Sequence, residues 1–565
     1  MRAALVQAWR SLAAWTRSRD NVELSRQRAL TSGRLRWAVL VIGLLAIFQW
    51  QRTFFSHRYP ENTLQTLHSL GASGGVLEWQ PEFVYFLYYL NLFPVATVTD
   101  QKLEMSRESA QRIFDTQGST LVMDRFWTIR YGDLLKSYLY LPHAYLNGRP
   151  TQRPNMATGN AMAWIVALLA LYAAFWKVGY PLLGAILVVV LASNPFQVHE
   201  VYGNNNVFGW VIITGVLMLA LHVPMMTDGR PSGAYIAALP VVSGLLLATV
   251  RQIRTEPVVI GVSLVLVYLT ARALAPRTRA ALVAALAASF LLGSAAWTAY
   301  FDAKFREAYV RVKAAGGHPY EGPRHINHFV WHALWCGLGD FDNKYGYQWS
   351  DLMAQDYALP IMKARGFVAT GYPAIEEQPY DALTLGVYWD RGRRYARTPF
   401  EVPEYIAVIR EKILHDIIHD PLWYATILRK RVWRILTETT PPSVAYGDRR
   451  RINLPRSALW GFLPLAAGLL ALRARSTFLV KVLLFLAPLA TTALVVYSGE
   501  GTVYYAVIHL VAFAICVAWM VEALLDLFTR RVVVGVVWRN QLHLLSRNPE
   551  ALRCLRPEAL DPGDS

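Results

Sequence analysis

The sequence predicts an all-α polytopic membrane protein with about ten transmembrane helices and two large extracytoplasmic loops. Two observations predict it. The chain is 54% apolar yet carries a formal charge of +17, and its apolar residues gather into runs near the ~20 residues that span a bilayer. Such runs must be helical, because lipid offers no partner to backbone N–H and C=O groups.

The spacing of these runs sets the domain organisation. Residues 1–36 form a basic N-terminal segment with Arg2, Arg10, Arg17, Arg19, Arg26, Arg28, Arg34 and Arg36 against only Asp20 and Glu23. It is expected to stay in the cytoplasm. The first span covers Trp37–Arg52 and is read as an anchor rather than a cleaved signal, since no small-residue cleavage site follows it. Residues 53–157 form the first extracytoplasmic loop. Spans near 158–176, 179–196, 207–224, 233–250, 257–273 and 280–300 complete a seven-helix module over 37–300. Residues 301–456 form the second loop domain. Residues 457–526 hold three more spans, near 457–472, 478–497 and 503–526, and 527–565 is a cytoplasmic tail.

The short loops test the orientation. Lys177, Arg230, Arg272, Arg277, Arg279, Arg473, Arg475 and Lys481 fall on the same side as the N-terminus, joined by Arg530, Arg531 and Arg539 of the tail. The opposite short loops are poorer in cations, which fits the positive-inside rule and an inner (plasma) membrane setting. The same bias accounts for the basic excess without nucleic acid, because no compact basic domain stands apart from the apolar runs. The stretch 84–98 is apolar but short, interrupted by Pro94 and rich in tyrosine. It reads as a helix at the membrane surface, since a further span would put the basic loops outside.

Chemistry-bearing residues concentrate on the outer side. In the first loop, positions 103–114 have amphipathic helical spacing that stops at Gly118, with Asp100 at the N-cap. Asp100 and Glu104 are candidate general bases, and Arg130 and Asp133 could line the same pocket. The plainer reading is a cap and a solvated acidic face. The second outer turn brings His199, Glu200 and Asn205 to the mouth of two spans. Asn there serves turn geometry, but a His–Glu pair at membrane depth is a functional hypothesis.

The third outer turn, ATVRQIRTEPVVIG, breaks the charge bias with Arg251, Arg254 and Glu256. Arginine forks suit phosphate oxygens, so a lipid phosphate in the outer leaflet is the expected partner. The second loop opens with His318, His325, His328, His332, Trp331, Trp335, Tyr345, Tyr347 and Trp349. Rings interleaved with acids and amides suit sugars, and His332 and Trp335 are the expected substrate contacts. A small loop core or interfacial aromatic anchoring is the plainer alternative. Metal is not expected, because H-E-x-x-H spacing is missing and three cysteines (Cys336, Cys516, Cys554) build no site. No cofactor is expected, and a divalent cation has no sequence support. Walker A, G-x-G-x-x-G and G-x-S-x-G patterns are absent, which argues against a nucleotide-driven pump.

This layout resembles the GT-C-type, polyprenyl-phosphate-sugar-dependent glycosyltransferases, with its nearest likeness to protein O-mannosyltransferases and aminoarabinose–lipid A transferases. The resemblance covers residues 37–300 by layout. Asp100, Glu104, Ala110 and Gly118 follow the family's acid-plus-amphipathic-helix pattern, and Arg254 with Glu256 resembles its arginine–acid pair. The resemblance implies inverting transfer of one sugar from a polyprenyl-phosphate carrier to an extracytoplasmic lipid, glycan or protein acceptor. Asp100 would take the acceptor proton, and Arg251 or Arg254 would hold the leaving lipid phosphate. A transporter or flippase of lipid-linked sugars and a non-catalytic membrane scaffold are the alternatives. A transporter would place its polar residues in mid-span.

Overall fold

The structure is a computed structural model. It describes residues 34–57, 157–194, 208–227, 231–271, 274–317, 330–365, 403–438, 477–498 and 502–528, with shorter pieces at 95–97, 112, 115–116, 118–123, 134–140, 200–201, 319, 387–390, 393–396, 443–446, 450–453, 534–538 and 541–545. These residues are mostly helical. In chain order the helices are α1 (Arg34–His57), α2 (Ala157–Lys177), α3 (Pro181–Ser193), α4 (Gly209–Met226), α5 (Gly233–Arg251), α6 (Ile260–Thr270), α7 (Pro276–Ala314), α8 (Val330–Leu338), α9 (Asp351–Ala364), α10 (Pro403–His419), α11 (Pro421–Thr437), α12 (Thr477–Leu486), α13 (Thr491–Val495) and α14 (Thr502–Phe528). Four antiparallel hairpins accompany them, among them β1 (Val95–Thr97) paired with β2 (Leu121–Met123).

Among the described residues, five helices are long and apolar enough to cross a membrane, judged by length and composition: Thr158–Lys177, Gly209–Met226, Gly233–Val250, Pro276–Ala314 and Phe478–Val495. Shorter apolar helices lie at Trp37–Phe48, Pro181–Ser193, Glu256–Thr270 and Val503–Ala518. The expected span at 457–472 lies outside the described residues. Leu245, Val262, Leu266, Leu291 and Leu292 are exposed. An apolar exterior of this kind suits lipid rather than water.

Local chemistry explains where the helices start and stop. Pro181 and Pro276 occupy first-turn positions of α3 and α7, where the missing N–H has no helical partner to lose. The Ser232 hydroxyl accepts the Tyr235 N–H at the start of α5. Gly179, at φ 91, turns the chain between α2 and α3, a conformation that costs a residue with a Cβ. Pro224 and Pro240 lie inside α4 and α5. Each removes a backbone donor and leaves the carbonyl four residues earlier without its helical partner; the Pro240 carbonyl itself also accepts from the Ser289 hydroxyl of α7 (3.2 Å).

Apolar contact alone holds helices weakly in lipid, so close approach of small residues matters. Helices α5 and α7 show it. Gly244 lies so near Ser289 that a Cβ would sit 2.1 Å from its Oγ, and Gly293 backs onto Ala248. Trp297 Nε1 donates to Thr249 Oγ1 at 3.1 Å. Position 240 thus meets 289, 248 meets 293 and 249 meets 297, so the two helices run parallel.

Two differences from the sequence reading concern boundaries. Val95–Thr97 is a strand rather than the end of a surface helix; pairing with Leu121–Met123 satisfies a backbone that the apolar pattern alone did not assign. The remainder of 84–94 is outside the described residues. The seventh expected span also continues beyond residue 300, since α7 runs unbroken to Ala314. No Gly or Pro interrupts 301–314, so the helix carries past the apolar run.

The helix body has two distinct ends. At one, Lys177 sits over the Tyr235 ring (5.8 Å), Lys481 Nζ donates to the Met226 carbonyl (2.9 Å) and Arg279 donates to the Leu274 (2.9 Å) and Leu269 (3.3 Å) carbonyls. The Met226 and Leu269 carbonyls lie at helix C-termini, which have no helical partners and the negative end of the dipole, and so suit these cations. At the other end, first-loop pieces dock. Gly118 packs on the Ala315 carbonyl and Gly317 on the Leu121 carbonyl, and the Tyr138 and Tyr300 hydroxyls meet at 2.8 Å.

Helices α8–α11 form a module with its own core. Trp335, Leu338, Tyr347, Ala354, Ala358, Tyr405, Ile409, Ile413 and Ile427 are buried together. Asp420 caps α11 by accepting the Trp423 N–H at 3.0 Å.

Candidate functional site at the loop end

The third outer turn stands at the loop end of the body. Helix α5 stops at Arg251, and a 3₁₀ turn over Glu256–Val259 leads into α6. Pro257 inside that turn cannot continue the hydrogen-bond ladder of α5. The turn is rigid nonetheless: the amides of Gln252, Ile253 and Arg254 all reach back to carbonyls of Thr249 and Val250. Arg254 and Glu256 form a close ion pair. The guanidinium also lies over the Phe208 ring, 4.1 Å from its centroid, and so is stacked as well as paired. Tyr504 of α14 donates to Glu256 Oε1 at 3.1 Å. The Tyr497 hydroxyl meets that of Tyr504. Since the single Tyr504 proton goes to Glu256, Tyr497 is the donor between the two phenols. Arg254 and Glu256 keep 16% and 18% of their side chains exposed, and Arg251 is half-buried. The turn thus presents one held, partly open guanidinium at Arg254, with the half-buried Arg251 three residues before it.

The first loop reaches this turn. The Leu135 N–H donates to the Gln252 carbonyl at 2.6 Å, and Leu134 and Leu135 are buried. Leu134 directly follows Asp133 in the chain. Asp133 itself, with Asp100, Glu104 and Arg130, lies outside the described residues, as do His199 and Asn205. Glu200 is buried, and its backbone packs against Gly209 at the start of α4, where a Cβ would lie 2.5 Å from the Glu200 carbonyl.

His332 and Trp335 are placed differently from the expectation that they touch substrate. Both are buried in the α8–α11 core. His332 Nδ1 pairs with the Tyr405 hydroxyl at 2.7 Å, and Trp335 is 1% exposed, packed against Tyr347 and Tyr357 at 4.7 and 5.1 Å between centroids. Neither ring offers a face to a sugar. The pattern that suggested sugar binding is that of a small loop core, because aromatic rings fill either role and only burial separates them. Among the described rings of this aromatic stretch, Tyr345 and Trp349 are exposed, and Trp349 packs on Tyr497 at 5.2 Å.

Phe208, Tyr497 and Tyr504 were not among the sequence candidates. A tyrosine in an apolar run carries no signal that its hydroxyl meets an acid some 250 residues away. His222 was missed as well. It is buried in α4, between the Met218 carbonyl (2.8 Å) and the Tyr268 hydroxyl (2.9 Å). Both ring nitrogens are satisfied, which makes it a packing element. Among the described residues, no three of His, Cys, Asp and Glu gather as a metal set.

Fold and site together define a helical membrane protein with a stacked arginine–glutamate turn at the end where its first loop docks. No family model and no curated protein matches the chain. It is similar at low level to two solved structures of the oligosaccharyltransferase AglB from Archaeoglobus fulgidus. One is a complex with Zn and sulfate (TM-score 0.36, 13% identity, 86% of this chain and 49% of that one). The other is a complex with an inhibitory peptide and a dolichol-phosphate (TM-score 0.35, 13% identity, 88% and 51%). The chain spans about half the length of these proteins, and a likeness of this degree fixes neither fold nor function.

Proposed function

We propose that the protein is a multi-pass membrane glycosyltransferase of the GT-C type. It moves a sugar, with inversion, from a polyprenyl-phosphate carrier to an extracytoplasmic lipid, glycan or protein acceptor. The observation that carries this reading is the Leu135–Gln252 hydrogen bond. It ties the segment beginning just after Asp133 to the turn that bears Arg251 and Arg254.

A loop carboxylate, with Asp100, Glu104 and Asp133 as candidates, takes the acceptor hydroxyl's proton. The freed oxygen attacks the anomeric carbon from the face opposite the phosphate, and the C–O bond to the phosphate breaks. The electron pair leaves on the lipid phosphate. Arg254 and Arg251 offset the charge that grows there, the role in which pre-positioned donors contribute most. Glu256 orients Arg254 and keeps it from folding onto other acceptors. The carrier already presents an activated sugar, so no nucleotide is consumed.

The cluster of Lys177, Lys481 and Arg279 at the opposite end supports a cytoplasmic placement of that end in a plasma membrane. The loops and the arginine turn would then face outward, within reach of the outer-leaflet headgroups.

The test is transfer by the purified chain in liposomes that carry polyprenyl-phosphate sugars. It is paired with mass spectrometry of cell-envelope glycans with and without the gene. Loss of transfer in Arg254→Gln and in one of Asp100→Asn, Glu104→Gln or Asp133→Asn is expected. Full transfer by all three carboxylate variants removes the general-base assignment. Unaltered glycans on deletion remove the enzyme reading.

A further inference from the structure

A second arginine–carboxylate pair joins the α8–α11 module to the helix body. Asp340 follows α8 and Arg431 lies in α11, with 1% and 0% of their side chains exposed. Their Nε–Oδ2 separation is 3.4 Å, but most of their hydrogen bonds go elsewhere, to the end of α13 and the residues just after it. Asp340 Oδ2 accepts the Ser498 N–H at 2.7 Å and the Ser498 hydroxyl at 3.0 Å. Arg431 Nη1 donates to the carbonyls of Leu494 (3.2 Å) and Val495 (2.7 Å). These lie in the last turn of α13, where carbonyls lack helical partners. Arg434 Nη1 donates to Ser498 Oγ at 3.0 Å. Gly337 of α8 closes on the same segment, where a Cβ would sit 2.0 Å from the Val496 carbonyl. Residues 494–498 are therefore gripped by polar bonds from one module.

Tyr497 leaves this gripped segment toward the other site. Its hydroxyl bonds to Tyr504, Tyr504 donates to Glu256, and Glu256 pairs with Arg254. Each link is a directed contact between side chains that are buried or largely so. Burying a charge pair gives little net stability over apolar packing of the same volume. Directed bonds to a backbone segment do supply a single register, which apolar contact does not.

We propose that Asp340, Arg431 and Ser498 are positioning residues, which clamp segment 494–498 so that Tyr497 and Tyr504 hold Glu256 and thereby aim Arg254 at a polyprenyl monophosphate. The ligand half of this inference rests on the proposed phosphate role of Arg254; the mechanical half does not.

The experiment separates the halves. Hydrogen exchange is measured by mass spectrometry on the full chain in lipid nanodiscs for wild type, Asp340→Asn, Ser498→Ala and Tyr497→Phe. Binding of undecaprenyl phosphate is measured on the same samples and on Arg254→Gln. The clamp variants should speed exchange at 494–498 and also at 252–256, where the amides of Gln252, Ile253 and Arg254 are hydrogen-bonded. They should weaken binding about tenfold, equivalent to 1.4 kcal/mol. Adding Tyr497→Phe to Asp340→Asn should cause no further loss, since both act along one chain of contacts. Arg254→Gln should abolish binding. Faster exchange at 494–498 with wild-type exchange at 252–256 would overturn the clamp, as would wild-type affinity in the variants. If Asp340→Asn does not fold, Ser498→Ala, which keeps the backbone bond to Asp340, gives the same readouts. If the wild type does not bind the lipid, or Arg254→Gln binds it as well, the phosphate reading fails, and exchange at 252–256 still decides the mechanical half.

Discussion

The molecule contains two arginine–carboxylate pairs with the same chemistry and opposite surroundings. Arg254–Glu256 keeps roughly a sixth of its side-chain surface open and is stacked on Phe208. Arg431–Asp340 is sealed, and its hydrogen bonds go to backbone carbonyls, a backbone amide and a hydroxyl. An open, oriented guanidinium can exchange its partner for a ligand phosphate. A sealed one has no route to a ligand and can only hold chain. On the proposed reading, side-chain access rather than residue type distinguishes the phosphate site from the clamp.

The sharpest break of this comparison is Arg431→Met. It leaves the buried Asp340 charge without its cation and should cost about 3–5 kcal/mol of stability, read by chemical unfolding in detergent. The double variant Arg431→Met, Asp340→Leu should recover much of that loss, because apolar groups of similar volume often replace such pairs without penalty. Arg254→Gln should behave oppositely. Its stability should fall less than that of Arg431→Met, because Arg254 and Glu256 keep 16% and 18% of their side chains exposed and Gln can still hydrogen-bond Glu256, while transfer falls on the order of 100-fold, as on removal of a pre-positioned donor. An unstable Arg254→Gln with unaltered transfer would reverse the two assignments.

A third acid sharpens the scale. Burial pushes the Asp416 carboxyl up, but hydrogen bonds from Lys412, His415 and Tyr347 outweigh it and hold the group below its ordinary value. A depressed carboxylate stabilises the fold above its unfolded value of about 3.9 and loses that contribution as pH falls through the lower folded value. Asp416→Asn should thus cost about 2 kcal/mol at neutral pH. The difference should shrink below pH ~4, as seen in unfolding midpoints across pH. The smallest effect belongs to Asp420. Lys344 beside it, with the Trp423 N–H, also holds this carboxyl low, yet the pair is open to solvent. Asp420→Asn keeps an N-cap acceptor and should leave the melting temperature unmoved at physiological salt. A clear shift there would show that access does not set the scale.

The sequence was most legible where the signal is local. Runs of apolar residues gave α2, α4 and α5 within a few residues, and the start but not the end of α7, because a lipid-facing helix needs its apolar length in one continuous segment. Arg251, Arg254 and Glu256 were visible because they violate a charge rule that neighbouring short loops obey. The aromatic cluster around His332 and Trp335 was visible as composition only. Ring-rich segments look alike whether they line a pocket or fill a core, so burial had to decide.

The sequence by itself determined the helical, apolar body and marked the arginine turn, since length, hydropathy and charge bias are properties of consecutive residues. The tertiary structure alone decided the partners: Leu135 on Gln252, Tyr504 on Glu256, and Arg431 on the Val495 carbonyl. These links join segments 64 to 248 positions apart. Hydrogen bonds depend on distances and angles in space, and a linear pattern does not encode them.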